Sequence, residues 1–129
     1  MTAQEKWVLT IRCIEAVRAN YHLLRERELP ARIDVRRRQR IRSLSKWRDA
    51  IDDAYRALRS RRGKSAARAR HDWLVARMLA LMVYEAASPQ TIRRSLSPGR
   101  EVHERYSDAL GEYAIKAVVE SAEKRGLFG

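Results

Sequence analysis

Apolar residues recur every three or four positions along most of this chain, and that spacing constrains the fold more than any other feature. The first such stretch consists of Trp7, Ile11, Ile14, Val17, Tyr21 and Leu24. A period near 3.6 residues places these side chains on one face of an α-helix. Only five Gly and three Pro interrupt the 129 residues, and no stretch favours a strand. We therefore expect an all-α fold of about five helices.

Capping residues and helix breakers predict the bounds of the first helix. Thr2 and Glu5 form a capping box, in which each side chain can bond to a free amide at the helix start. Pro30 disfavours helical geometry in the residue before it. We expect the first helix to run from the N-terminal capping box to about Glu28.

Two further helices are predicted between residue 34 and about residue 86. Asp34 can cap the second helix, and Gly63 is placed to stop it. The third helix is expected to begin within Ser65–Ala69 and to continue to about Ala86. Because residues 73–84 are apolar nearly all round, we expect this third helix to be the core helix against which the others pack.

The basic charge is concentrated in the first half of the chain. The whole sequence carries a net charge of +12, from 28 Lys and Arg against 16 Asp and Glu. Residues 1–64 hold 18 basic against 8 acidic residues, whereas residues 65–129 hold 10 against 8. Arg dominates, and its planar fork of donors suits phosphate. We predict a phosphate-binding cluster formed by Arg36, Arg37, Arg38, Arg40, Arg42, Arg61, Arg62 and Lys64.

This cluster has three interpretations. It can be a phosphate-tracking surface for DNA or RNA, a solvated face of a helical hairpin, or a surface that meets an acidic protein. In domain terms, residues 1–64 form an Arg-rich helical hairpin. Residues 65–129 form the core helix plus a helix-turn-helix, and we expect the two parts to make one compact unit.

The helix-turn-helix is predicted from two breaks between residues 79 and 113. Ser88 and Pro89 start a short helix that runs to about Leu96, because Ser can cap free amides and Pro fits the first helical position. The segment 97–99, Ser-Pro-Gly, then breaks the chain. The helical period resumes in a long last helix at Val102, Tyr106, Leu110 and Tyr113, and ends at Gly126.

The segment LMVYEAASPQTI resembles the first half of the helix-turn-helix in region four of bacterial sigma factors. The matching positions are Leu81, Tyr84, Glu85, Ser88 and Ile92, and the second half continues with Leu96, Val102, Tyr106, Ala109 and Leu110. With a basic helical half before it, the chain is similar to small phage late-gene regulators of the ArpU and RinA type and to late antiterminators.

This resemblance implies a DNA-binding role and a set of contacts. Arg93, Arg94 and Ser97 would meet the DNA backbone. The residues that would face the major groove are Arg100, His103, Glu104 and Ser107. The resemblance also implies RNA polymerase as a partner.

The remaining patterns argue against other chemistry. The single cysteine, Cys13, excludes an internal disulfide, and the three histidines have no metal-ligand spacing. No phosphate loop, carboxylate pair or nucleophile with a base is evident, so we expect no enzyme activity, no cofactor and no metal. No run of about 18 apolar residues occurs, so we expect a cytoplasmic protein that binds no membrane. The tryptophans Trp7, Trp47 and Trp73 lie on apolar stripes and are expected to anchor the core.

We therefore expect a DNA-binding transcription regulator, of the phage or prophage late-gene activator or antiterminator kind. One alternative is a phage small packaging (terminase) subunit, which would assemble as a ring. Another is a non-enzymatic basic helical adaptor that binds RNA or an acidic protein. Apolar positions of the first and last helices can form an interface in a homo-oligomer, form a surface that faces RNA polymerase, or pack onto the core of the same chain.

Overall fold

Four long helices pack together in the part of the chain that the structure describes, and this part contains no strand. A computed structural model describes residues 1–24, 34–60, 62–84 and 100–129, with the side chains of all of these except 22 and 100–108. The elements are α1 (Ala3–Ala19), the single turn α2 (Tyr21–Leu24), α3 (Val35–Arg59), α4 (Ala66–Val83) and α5 (Arg100–Lys124). The all-α prediction is confirmed.

The first helix starts where the capping box predicts and ends earlier than expected. The Thr2 hydroxyl accepts a hydrogen bond from the Glu5 amide at 3.1 Å. Asn20 ends α1, because its side-chain amide donates to the Ala16 carbonyl at 2.8 Å and its backbone leaves helical geometry. The Asn20 carbonyl then starts the separate turn α2 by accepting from the amide of Leu24 at 3.1 Å. The prediction of one continuous helix to about residue 28 is therefore wrong.

The cap predicted for α3 is confirmed, and Ser65 caps α4 at the start of the range where that helix is expected to begin. The Asp34 carboxylate accepts from the Arg37 amide at 2.8 Å, and the Ser65 hydroxyl accepts from the Arg68 amide at 3.2 Å. Helix α3 ends at Arg59, four residues before the expected stop, and Gly63 instead forms the left-handed turn that leads into α4, with φ of 75°. The predicted short helix from 88 to 96 lies outside the described residues.

The core lies between α3, α4 and α5, with α1 packed against all three. Val75, Leu79 and Val83 of α4 are fully buried, as expected of the core helix. The expectation for the tryptophans holds only in part. Trp47 is buried and Trp7 is half-buried, but Trp73 is exposed, so the apolar run of α4 is not covered all round.

The second half of α5 packs onto the core of its own chain. Ala114, Val118 and Ala122 are buried along one face of the helix. After Lys124 the chain turns back, and the ring of Phe128 meets the edge of the Trp47 ring at 5.5 Å between centroids. These described apolar positions therefore pack internally. None of the helices in the described part of the chain combines the length and apolar character needed to cross a bilayer.

Candidate nucleic-acid interface

Several exposed basic residues lie close together in the first two turns of α3. Val35 is 70% exposed, and Ile41 is the first buried residue of this helix. Arg36, Arg37 and Arg40 lie between them on the exposed part of the helix. No acidic residue occupies the first helical turn, where the helix dipole is positive and adds to the guanidinium charges. This end of α3 therefore presents a strong positive potential.

The guanidinium groups at the start of α3 are not neutralised by the described acidic residues. The Asp34 carboxylate is the nearest in sequence, but the backbone amide of Arg37 holds it as the helix cap. Among the described residues, Arg36, Arg37, Arg40 and Arg42 form no ion pair. Their donors are available to a partner from solution. Phosphate oxygens match them in charge, and the planar fork of each guanidinium can bond two phosphate oxygens at once.

The other members of the predicted phosphate-binding cluster differ from these four. Arg62 is exposed, whereas Arg38 is half-buried and has an interaction partner within the protein. Arg61 lies outside the described residues. The Lys64 ammonium is bound within the protein, because its Nζ lies 2.6 Å from the Asp72 carboxylate and donates to the carbonyls of Ala57 and Leu58. We therefore leave Lys64 out of the proposed phosphate-binding surface.

Asp72 is the buried centre of an ionic network that sequence reasoning missed. Its carboxylate meets Lys64 at 2.6 Å, His71 at 3.2 Å and Arg68 at 3.3 Å. Burial alone would raise the pKa of Asp72, but the hydrogen bonds from Lys64 and His71 and the charges of Lys64 and Arg68 together outweigh it, so the pKa lies below its usual value. Arg68 stands four residues before Asp72, which is a recognisable helical ion-pair spacing. Lys64, the other partner, lies in the connection before α4, and no helical spacing in the sequence relates it to Asp72.

The residues predicted to contact DNA lie before and within the first turns of α5. Arg93, Arg94 and Ser97 lie outside the described residues. Arg100, His103, Glu104 and Ser107 lie within α5, whose backbone is helical from Arg100 onward, but their side chains are not among those described. Their role in base recognition stays a prediction.

Helix α5 begins at the end of the molecule that carries the α3–α4 connection. The ring of Tyr113 meets that of His71, in the second turn of α4, at 4.8 Å between centroids. After α5 ends, Phe128 meets Trp47 near the middle of α3. Arg100 lies thirteen positions before Tyr113, about 20 Å along a straight helical axis. The first turns of α5 therefore extend past the start of α4.

Helix α3 has 25 residues and is about 37 Å long, and the exposed arginines occupy its first turns. One turn of B-DNA spans about 34–36 Å. A duplex that lies along α3 would therefore follow it for about one helical turn.

Trp73, which the sequence predicts to lie in the core, lies instead on the surface. It is 43% exposed and borders a cleft of about 530 Å³. Arg70 and Arg77 stand three residues before it and four after it, on the same face of α4, and both are exposed. Those flanking arginines are the signal that could have identified this face as a surface, since core positions of a helix rarely alternate with Arg.

Comparison with known proteins finds no relative: no family model, no curated protein and no solved structure matches the chain. Within the described ranges, no group of three or more His, Cys, Asp and Glu side chains could hold a metal ion.

Proposed function

We propose that this protein binds nucleic acid and that the exposed start of α3 supplies its general affinity for phosphate. The observation that carries the proposal is the group of guanidiniums at Arg36, Arg37, Arg40 and Arg42, exposed and without a described acidic partner. Closely spaced like charges destabilise the helix that bears them, and an anionic backbone would relieve that repulsion. The high net charge of +12 supports the same partner.

The finer part of the proposal is a phage-type transcription regulator that reads DNA with its helix-turn-helix. The similarity of residues 81–110 to sigma region four supports this role. The position of α5 also supports it, because a helix whose first turns extend beyond the core can enter a major groove. Base contacts from Arg100 and His103 would set the sequence preference, while the arginines of α3 would set the affinity for any sequence.

The salt dependence of DNA binding tests the phosphate-binding surface. The test variant combines Arg36→Gln, Arg37→Gln and Arg40→Gln; Arg38 is kept because it has a partner within the protein. Binding of a labelled duplex of about 30 base pairs, long enough to reach both ends of α3, is measured by anisotropy across salt concentrations. Each lost phosphate contact removes about 0.9 from the slope of log K against log salt, so the slope should flatten by about 2.7.

A matched control removes three positive charges from elsewhere on the exposed surface, at Arg12, Lys116 and Lys124. Substitution of these three by Gln lowers the net charge equally and should flatten the slope by less than about 1, since only long-range attraction is lost. Equal slopes for the two triple variants would contradict a localised surface. If the unaltered protein does not retard random duplex at low salt, the adaptor alternative is favoured, and a ring-sized mass in solution would favour the packaging subunit.

A further inference from the structure

We propose that the exposed face at the start of α4 holds one unpaired nucleotide of a single-stranded nucleic acid, with the base stacked on Trp73 and the phosphate paired with Arg70. This inference rests on the proposed nucleic-acid function. It adds a second site, whose ligand is an unpaired nucleotide rather than the backbone alone. The exposed start of α3 would bind the backbone of any nucleic acid, whereas this face would recognise a base that has left the stack.

The face is formed by residues spaced for one side of a helix. The described residues that line the cleft are Lys64, Ser65, Ala66, Ala69, Arg70 and Trp73. Helical side chains lean towards the N-terminus, so the indole of Trp73 lies over the turn that contains Ala69 and Arg70. The methyl groups of Ala66 and Ala69 are too small to cover it. The indole is therefore left with an exposed aromatic surface beside a basic side chain.

The charges around this face favour an anionic ligand and identify which residue would bind it. Lys64 is neutralised by Asp72 at 2.6 Å, and Arg68 shares the same carboxylate at 3.3 Å. Arg70 is exposed and pairs with no carboxylate in the described part of the chain. Among the described residues that line the cleft, its guanidinium is thus the one that is available for a phosphate.

The site is already held in shape before a ligand arrives. The Lys64 ammonium donates to the last-turn carbonyls of α3 at Ala57 and Leu58 and pairs with Asp72 of α4. These bonds tie the connection to both helices. Binding therefore does not have to order this backbone, which lowers the entropic cost of binding.

A single-stranded ligand fits these features better than a duplex does. Bases within a duplex are stacked on each other and cannot offer a face to an indole, whereas unpaired bases stack on aromatic side chains without regard to sequence. The cleft volume of about 530 Å³ falls within the range of about 300–1,000 Å³ that small-ligand pockets occupy. One aromatic ring and one guanidinium match the base and the phosphate of one nucleotide.

The test compares single strands with duplex in variants of Trp73. Twelve-residue oligomers of thymidylate DNA and of uridylate RNA are titrated into the unaltered protein, Trp73→Ala and Trp73→Phe, with a duplex as reference. The alanine variant should bind single strands about tenfold more weakly, because stacking of one base contributes on that scale. Its duplex affinity should stay within about twofold. The DNA and RNA arms identify the sugar that the site prefers, and tighter binding of either supports the site.

Tryptophan fluorescence gives a readout that a loss of folding cannot imitate. Stacking should quench the emission of the unaltered protein, and Trp73→Phe should keep the affinity but lose most of the quenching. The control Trp7→Phe removes a half-buried indole on α1 and should keep both. The inference would be overturned if neither oligomer quenched the emission, or if Trp73→Ala bound single strands as tightly as the unaltered protein does. In either case, binding of the duplex would still uphold the proposed function. Failure to bind any nucleic acid would overturn both.

Discussion

The substitution Asp72→Asn should destabilise the protein far more than the loss of another ion-paired carboxylate. The Asp72 side chain is only 6% exposed and that of Lys64 20%, so the bond between them at 2.6 Å is shielded from water. A charge-assisted bond in such surroundings contributes about 1.5–3 kcal/mol, and the more exposed contact with Arg68 adds less than about 1 kcal/mol. We expect a loss of about 2–4 kcal/mol in the free energy of unfolding.

The matched control for this prediction is Asp53→Asn. Asp53 pairs with Arg125 at 2.5 Å, and the hydrogen bond from Arg125 lowers the pKa of Asp53. Both side chains of this pair are more than one third exposed, so its loss should cost less than about 1 kcal/mol. Urea unfolding followed by circular dichroism measures both variants. For a protein of this size, the Asp72 variant should also melt roughly 8–16 °C lower.

The pH dependence gives a second check on the role of Asp72. Because its pKa is lowered in the folded state, the ionised carboxylate stabilises the protein fully above the unfolded-state pKa of about 3.9. That contribution is lost as the pH falls through the folded-state pKa. The difference between the unaltered protein and Asp72→Asn should shrink as the pH falls below about 4. Equal losses for Asp72→Asn and Asp53→Asn would refute the reasoning.

Two further predictions concern the thiol and the C-terminal ring. Burial raises the pKa of Cys13 to about 11, so its reaction with a thiol reagent at pH 8 should be more than tenfold slower in the native state than in urea; equal rates would contradict this. Phe128→Ala removes the edge contact with Trp47 and should cost about 1–2 kcal/mol in urea unfolding, whereas Val35→Ala, at an exposed position, should cost under about 0.5 kcal/mol. A smaller loss for Phe128→Ala than for Val35→Ala would count against the contact.

Features that depend on nearby residues could be predicted from the sequence. The caps at Thr2, Asp34 and Ser65 rest on a side chain that meets an amide three residues later, and those at Thr2 and Asp34 were expected from the pattern. The break at Asn20 is equally local but was missed. An Asn inside an apolar stripe can either face solvent or bond back to the carbonyl four residues earlier, and the spacing does not distinguish the two.

Features that depend on distant residues could not be predicted in the same way. The bond between Lys64 and Asp72 needs the turn at Gly63 and the packing of α4 on α3, neither of which a charge pattern contains. Trp73 was placed in the core because the run from 73 to 84 is apolar nearly all round, which hides the face that turns outward. For the candidate site, the sequence supplied the exposed arginines of α3 but not the pairing of Lys64 with Asp72, which depends on the packing of α4 on α3.

The second half of α5 is fixed in the core, so its orientation there determines where the first turns of the helix lie. Leu110 is the first described buried residue of α5, ten positions after Arg100, so about 15 Å of helix extends before it. A rotation of about 5°, well inside the scatter of helix packing angles, would move Arg100 by about 1.3 Å. An enlarged side chain at Ala122 could impose such a rotation without touching the ligand. Core substitutions in the last turns of α5 can thus retune what its first turns meet.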